Sequence, residues 1–498
     1  MNGDVTIVGS GINGSIMALV LRQLGYHVRL VDRQSHPRFS IGESSTPYAD
    51  LVLRSLGHRY GLPDLHTLSR YGLWRHRYSH LEGGSKQGFV YFPPTDPVRS
   101  STGRWRGEMV IASSRNRHQG DSNWVRSSLD HHLHHLCLES GIECIEPVEL
   151  VSAHIRNNVW TLHFQEPEGT PWMCKSDFLI DATGSGILAN RLFGFPTEHH
   201  GFKTHSSAMF THTESLPGME SILTDQGIET GHYPFPVDDS AMHHLTEQGW
   251  FWSLRFDDGR TSIGQLTDLN EYTAPLKPDS MDAWTRSPSF PIQLKKQLTR
   301  ASLHAEPGKI IQTGRLQRRL SRAAFPGWIA LPSTFGFTDP MHSTGLAWSL
   351  HGIEWVARQF EDGFPDAEAL NHYEQNLSLE LNAVDMLVST AYRTRRDPVT
   401  FELSIMLFFM ATVVAEQRRI LSPDRIQGFL ATDHDPLWKQ IRQSVSELMN
   451  ESGTKSSIHQ RDEWFRHLNN RFQTWNNVGL FDASAQGVYQ QTAPDIIE

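Results

Sequence analysis

The pattern of apolar and polar positions divides this chain into three textures. Near the start, Val5-Thr6-Ile7-Val8 is a short run rich in β-branched residues that leads into glycines, the mark of a buried strand. Ser15 to Leu24 places apolar residues at helical spacing, stops at Gly25, and gives way to a second strand, Tyr26-His27-Val28-Arg29-Leu30-Val31. Between residues 200 and 310 strand-like runs alternate with turns. Gly249 to Phe256 reads as a strand, Asp258-Gly259 as a hairpin turn, and Thr261 to Gln265 as the returning strand. From Tyr373 to Ile420 the period is helical again, with aromatic and aliphatic faces. Beyond Ser484 the chain turns polar, which predicts a poorly ordered end.

The first strand and helix are joined by Gly9-Ser10-Gly11-Ile12-Asn13-Gly14. Gly9 permits the tight turn, Gly11 lets the backbone approach a pyrophosphate, and Gly14 allows close helix–strand contact. Asp32 closes the second strand, where its carboxylate can accept hydrogen bonds from an adenosine ribose. Strand, glycine turn, helix, strand and acid in this order predict a dinucleotide site. Phe178-Leu-Ile-Asp181-Ala-Thr-Gly184-Ser-Gly186 is another strand entering a glycine turn, but no acid-tipped unit follows to make a second such site. A third turn, Pro332-Ser333-Thr-Phe-Gly336-Phe337-Thr-Asp339-Pro340, precedes Ser343-Thr344-Gly345, which opens an apolar helix from Leu346 to Phe360. Its exposed N–H groups suit an anion or a carbonyl oxygen. His342 is the titratable side chain beside that turn, and its ordinary pKa of about 6.5 suits proton transfer.

Composition narrows the classes further. The 498 residues carry 45 Lys+Arg and 55 Asp+Glu, a formal charge of −10, with no basic run, which argues against a nucleic-acid surface. Three cysteines without a CxxC pair suit a reducing compartment. No basic segment precedes the first strand, and the apolar stretch Leu403–Ala415 is short of the ~20 residues of a membrane span, so a cytoplasmic protein without a transmembrane segment is expected. Among 27 histidines, His131 and His135 lie one helical turn apart. With no third ligand nearby in sequence, a polar helix face is expected there and no metal site.

These motifs, in this order and over residues 1 to 420, resemble the flavin-dependent tryptophan-halogenase-like family within the FAD-dependent halogenase and monooxygenase superfamily. Gly9, Gly11, Gly14 and Asp32, with Arg33 beside it, are similar to the family's ADP site. Ile41-Gly42-Glu43-Ser44-Ser45-Thr46-Pro47 resembles its glycine–glutamate loop along the flavin. Arg126-Ser-Ser-Leu-Asp130 resembles the segment whose arginine approaches FAD, and Leu179-Ile-Asp181-Ala-Thr-Gly184 the strand beneath the cofactor. Phe337-x-x-Pro340-x-x-Ser343-x-Gly345 resembles the flavin-side signature that also includes Asp339 and Leu346, and Trp250-x-Trp252 starts the tryptophan-rich motif. The sequence departs from the family pattern in several places. Arg255 stands where that motif ends in proline, and Pro332-Ser333 replaces a Gly-Asp pair, leaving Ser333 to hold the ribityl chain. Val90 aligns with the family's lysine and His342 with its glutamate. Lys86 shares strand parity with Val90 but lies four residues away.

The resemblance implies an α/β fold, a Rossmann-type FAD-binding core of the FAD-monooxygenase kind. The expected boundaries are residues 1–200 with an insertion at 51–125, an inserted β-sheet substrate domain at 201–310, the returning core at 311–365, and a helical C-terminal region at 366–498. It implies FAD as cofactor, a small aromatic substrate, halide, and a separate flavin reductase as partner. The reaction implied is halogenation or hydroxylation using oxygen and reduced flavin. His342, Ser343, Thr344, Lys86 and Glu43 are the candidate catalytic residues, and Trp250 and Trp252 the candidate substrate wall. A flavin reductase or dehydrogenase of the geranylgeranyl-reductase type and a non-catalytic flavin-binding protein are the competing readings.

Overall fold

The computed structural model describes residues 3–94, 107–214, 216–275, 277–298, 301–426, 428–430, 434–451 and 458–494. Its organising layer is a six-stranded sheet in the order Ala324–Phe325, Trp328–Ala330, Phe178–Asp181, Asp4–Val8, His27–Val31 and Glu143–Ile145. All neighbours are parallel except the outermost pair, Ala324–Phe325 with Trp328–Ala330. Asp4–Val8 is the central strand, with Val5 opposite both Val28 and Phe178. Its residues from Val5 to Val8 are all buried, as a parallel strand covered on both faces requires. Helix Ile12–Gln23 follows and presses on helices Arg126–Glu139 and Thr344–Gln359. This is the expected Rossmann-type layer, and its strand ends gather the three glycine turns on one side.

The second layer is an eight-stranded sheet in the order Ile311–Arg315, Ser206–Thr213, Thr261–Asp268, Gly249–Arg255, Ser240–Thr246, Gly88–Phe92, Met109–Ala112 and Val488–Tyr489. Four of those strands come from outside residues 201–310. The polar C-terminal segment is also ordered there, because Val488 and Tyr489 pair with Val110 and Ile111 and Thr492 is buried. Alternation along the strands decides which residues face the first layer. Phe89, Tyr91, Ala241, Trp250 and Trp252 join the main core, whereas Val90, Phe92, Met242 and Phe251 pack into a separate core on the far face.

Helices Ala367–Thr394, Pro398–Leu421, Pro436–Glu451 and Ile458–Phe472 form the C-terminal region. Asp397 caps the second of them by accepting a hydrogen bond from the Thr400 amide at 3.1 Å, and Pro398 sits at its first position. That helix has the length and apolarity of a membrane span, yet 78% of its most apolar window is buried inside the protein. It is the longer successor of the Leu403–Ala415 stretch.

Candidate active site

Two joined cavities run along the strand ends. The first, about 460 Å³, is lined by Gly9, Gly11, Ile12, Asn13, Asp32, Arg33, Arg126, Gly184 and Ser333 among others. Helix Ile12–Gln23 opens onto it with no side chain capping its first turn, so its backbone N–H groups point positive potential into the cavity. Gly14 is fixed by sterics, since a Cβ there would lie 1.8 Å from the Gly9 carbonyl oxygen. Asp32 Oδ2 accepts from the Ser10 amide at 2.8 Å and from Arg38 at 2.8 Å. Burial works against its charge, but Arg38 and the amides of Ser10 and Gln34 outweigh it and hold the carboxyl below its usual range. Arg126 chelates Asp130 through both Nε and Nη2 and donates to the Ile41 and Gly42 carbonyls, so it anchors the glycine–glutamate loop.

The second cavity, about 370 Å³, shares Ile41, Gly42, Phe337, Gly345, Leu346 and Trp348 with the first. Its wall includes Glu43, Ser44, Trp250, Trp252, Asp339, Pro340, Ser343 and Thr344. Ser343 sits in the left-handed region at φ 54° and starts helix Thr344–Gln359 without capping it; its Oγ bonds instead to Ser44 Oγ at 3.3 Å. The helix's first N–H groups are thereby left to the cavity. Glu43 is buried and tied across to the large sheet, accepting from Ser262 Oγ at 2.6 Å and meeting His212 Nε2 at 2.5 Å. Trp250 and Trp252 lie on one sheet face with centroids 6.2 Å apart. The Trp250 indole donates to Tyr392 and Asp339, that of Trp252 to Ser262.

Several expected roles change. His342 does not line either cavity. It is fully buried, its ring stacks on Phe408 at 4.0 Å, and burial, with His243 nearby, drives its pKa down to about 3. Its ring is therefore held in the neutral form at neutral pH. Lys86 is also absent from both walls. Its strand, Gly83–Lys86, pairs with Asp121–Trp124 in a separate ribbon, and the break at Gln87 cancels the parity with Val90. Val90 faces the far core, whereas Lys86 turns back so that Nζ lies 4.0 Å over the Phe89 ring and donates to the Ser45 carbonyl at 2.5 Å. Burial lowers its pKa against the pull of Asp121 and Asp50.

Asp181 lies beneath the turn and not in the cavity. It accepts from the amide and hydroxyl of Thr183, and burial raises its pKa to about 6. Ser333 reaches the first cavity and accepts from Asn13 at 2.7 Å. Asp339 is a hub rather than a free ligand: Ser206, Tyr392, Trp250 and the Met341 amide all donate to it. His131 and His135 are exposed, and His135 pairs with Glu139 at 3.3 Å. His134 faces inward instead, where it, His36 and Glu146 lie within 4.8 Å of one another, an arrangement that could hold a metal ion.

The structure also brings in residues no motif marks. Arg318 lines the second cavity and donates to the Thr334, Gly184 and Ser333 carbonyls, a cation set between the two later glycine turns. Burial lowers its pKa to about 10. Asp50, Asp121 and Glu416 border a further chamber. Nothing in Arg318-Arg319 or in an apolar helix distinguishes such residues before the chain is folded.

Comparison with known proteins agrees with this geometry. Residues 7–81 match the model of an NAD(P)-binding Rossmann-like domain. The chain is 26% identical to tetracycline 7-halogenase of Kitasatospora aureofaciens over 408 residues, 78% of this chain and 69% of the relative. It is 24% identical over 443 residues to monodechloroaminopyrrolnitrin halogenase PrnC of Pseudomonas fluorescens, 85% of this chain and 74% of the relative. A solved structure of halogenase PltM in complex with phloroglucinol and FAD superposes with a TM-score of 0.85 at 20% identity, covering 99% of this chain and 100% of that one. Fold and cavities together define a flavoprotein oxidoreductase. Within that class the chain is similar to flavin-dependent halogenases.

Proposed function

We propose that the protein uses reduced FAD and oxygen to halogenate, or failing halide to hydroxylate, a small aromatic molecule. The observation that carries this reading is the uncapped helix start at Ser343–Leu346, which opens onto a cavity walled by Trp250 and Trp252. FAD fits the joined cavities because the uncapped turn after Gly11 suits its pyrophosphate and Asp32 its ribose. When bound, FAD supplies the electrons that activate oxygen. The residues proposed to hold it are Gly9, Gly11, Gly14, Asp32, Arg33, Ser44, Arg126, Gly184, Ser333, Pro340, Gly345 and Leu346, with Asp181 and Asp339 acting through the turns they brace.

The N–H groups of Thr344, Gly345 and Leu346 stabilise negative charge, whether on reduced flavin or on halide. Glu43 orients the loop that carries Ser44, while Lys86 holds the same loop through Ser45 and offers a buried amine behind Phe89. No second nucleotide fingerprint accompanies the first, which supports a separate flavin reductase as the source of electrons. The three cysteines are free thiols, in keeping with a cytoplasmic setting.

The test is a single assay on purified protein with FAD, NADH, a flavin reductase, oxygen and a panel of aromatics, each with and without bromide. Halide-dependent products are expected. Oxygenated products indifferent to bromide reassign the protein as a hydroxylase, and flavin reduction by substrate without oxygen uptake reassigns it as a dehydrogenase.

A further inference from the structure

Three ligand-type side chains from separate elements meet beside the first cavity without lining it: His36, His134 and Glu146. His36 follows the second strand, His134 lies on the inward face of helix Arg126–Glu139, and Glu146 follows the edge strand Glu143–Ile145. The two imidazoles stack with centroids 4.6 Å apart and planes 12° from parallel. His36 Nδ1 lies 2.8 Å and His134 Nε2 3.6 Å from the same carboxylate oxygen, Glu146 Oε2. The other oxygen, Oε1, accepts from the His36 backbone amide at 2.9 Å, which fixes the orientation of the carboxylate. All three side chains are withdrawn from water, at 1%, 8% and 15% exposed for His36, His134 and Glu146. Among the described residues no lysine or arginine bonds to any of them.

We propose that His36, His134 and Glu146 form a structural zinc site that clamps the strand end carrying Asp32. Two imidazole nitrogens and one carboxylate oxygen suit zinc, with water as the fourth ligand. Zinc bonds of about 2.0–2.1 Å set ligand atoms about 3.3 Å apart at tetrahedral angles. The separations of 2.8 and 3.6 Å fall on either side of that value. The His36 amide already holds the carboxylate so that one oxygen faces both rings, the kind of outer contact that orients a metal ligand. The ion takes the place of the hydrogen between His36 Nδ1 and Glu146 Oε2, and the imidazole keeps its N–H on the other nitrogen. Neither cavity reaches the three side chains, so the ion holds elements together and does not meet substrate. The same junction holds Asp32: its amide donates to the Ile145 carbonyl at 3.2 Å, and the Val148 amide donates to its carbonyl at 2.7 Å. Helix Arg126–Glu139, the third element, supplies Arg126 and Asp130 to the cavity wall. An ion here therefore ties together the pieces that shape the nucleotide end of the cavity. The clamp rests on the reading of Asp32 as the acid that meets the ribose of FAD; the metal site does not.

The test is titration of zinc chloride into the untagged, chelator-treated full chain, with the metal retained through gel filtration counted by elemental analysis. The wild type is expected to retain one zinc per chain. X-ray absorption fine structure of that sample should show nitrogen and oxygen neighbours at about 2.0–2.1 Å and no sulfur, a reading that does not depend on any variant folding. His134→Ala and Glu146→Gln should lose the bound equivalent, whereas His135→Ala, on the exposed face of the same helix, should keep it. Zinc should raise the melting temperature of the wild type and leave that of Glu146→Gln unmoved. FAD, followed by its fluorescence, should bind the wild type at least about fivefold more tightly with zinc than without, the lower end of ordinary coupling between sites. The site is overturned if no zinc is retained, if His134→Ala or Glu146→Gln still retains it, if His135→Ala loses it, or if sulfur is found among the neighbours. Zinc retention with unchanged FAD affinity overturns the clamp. Zinc retention by a protein that binds no FAD overturns the flavin reading alone.

Discussion

His212 Nε2 and the Glu43 carboxylate meet at 2.5 Å, joining the large sheet to the loop that follows the first βαβ unit. Ser262 donates to the second Glu43 oxygen at 2.6 Å, so one buried side chain fixes the loop against two strands. Glu43→Ala is expected to cost about 1–3 kcal/mol for each of the two groups left unsatisfied, while Glu43→Gln keeps most of the bonding. Thermal melts and FAD affinity of the two variants check this. Equal stability in wild type and Glu43→Ala would refute the bracing role.

Gly14→Ala should abolish the yellow colour of the purified protein. A Cβ at this position lies 1.8 Å from the Gly9 oxygen, and neither that backbone nor the Ala182 Cβ at 3.2 Å is a flexible group that could yield. Displacing the helix from the strand would spoil the uncapped turn that faces the cavity. Visible absorbance after purification reads the outcome, and a normal flavin spectrum counts against the assigned site.

Stability should fall on mild acidification. Burial holds His342 and His244 near pKa 3 and His243 near 4, each below the ordinary 6.5. Between those values the unfolded chain is protonated and the folded one is not. The stabilisation is therefore complete above about 6.5 and declines by about 1.4 kcal/mol per pH unit for each histidine as pH falls towards 4. His342→Phe should preserve the stack on Phe408 and flatten the slope of stability against pH by one proton. It should also leave turnover at neutral pH nearly intact. A loss of about 10²–10⁴-fold, the usual cost of removing a general acid or base, would restore His342 to the chemistry.

Ser343 occupies left-handed backbone that a non-glycine residue holds at a cost. Ser343→Gly should raise stability by up to about 1 kcal/mol, whereas Ser343→Val should lower it. Turnover should fall in the glycine variant, because the contact with Ser44 disappears. Denaturant melts paired with initial rates separate the two effects, and unchanged rates would remove Ser343 from the site.

The first βαβ unit was fully legible in the sequence. Gly9, Gly11, Gly14 and Asp32 act within one local stretch, and the steric demand on each comes from its immediate neighbours. Trp250 and Trp252 were legible for a similar reason, since alternation in one strand sets which face they share. Lys86 was not. Its parity with Val90 presumed one continuous strand, but Gln87 lets the chain leave one sheet and enter another. His342 followed the flavin-side motif in sequence, yet Phe408, from a helix more than sixty residues later, buried it and removed its charge.

What the sequence alone determined was the nucleotide-binding core and the order of its parts, because short-range patterning specifies strand, turn and helix. Only the tertiary structure decided which polar side chains are satisfied. Glu43 found His212 and Ser262 across the fold, and Asp339 found four donors. Glu416 found none among the described residues and borders a chamber. Burial and hydrogen-bond partnership depend on residues far apart in the chain, and the free energy of a buried polar group turns on them.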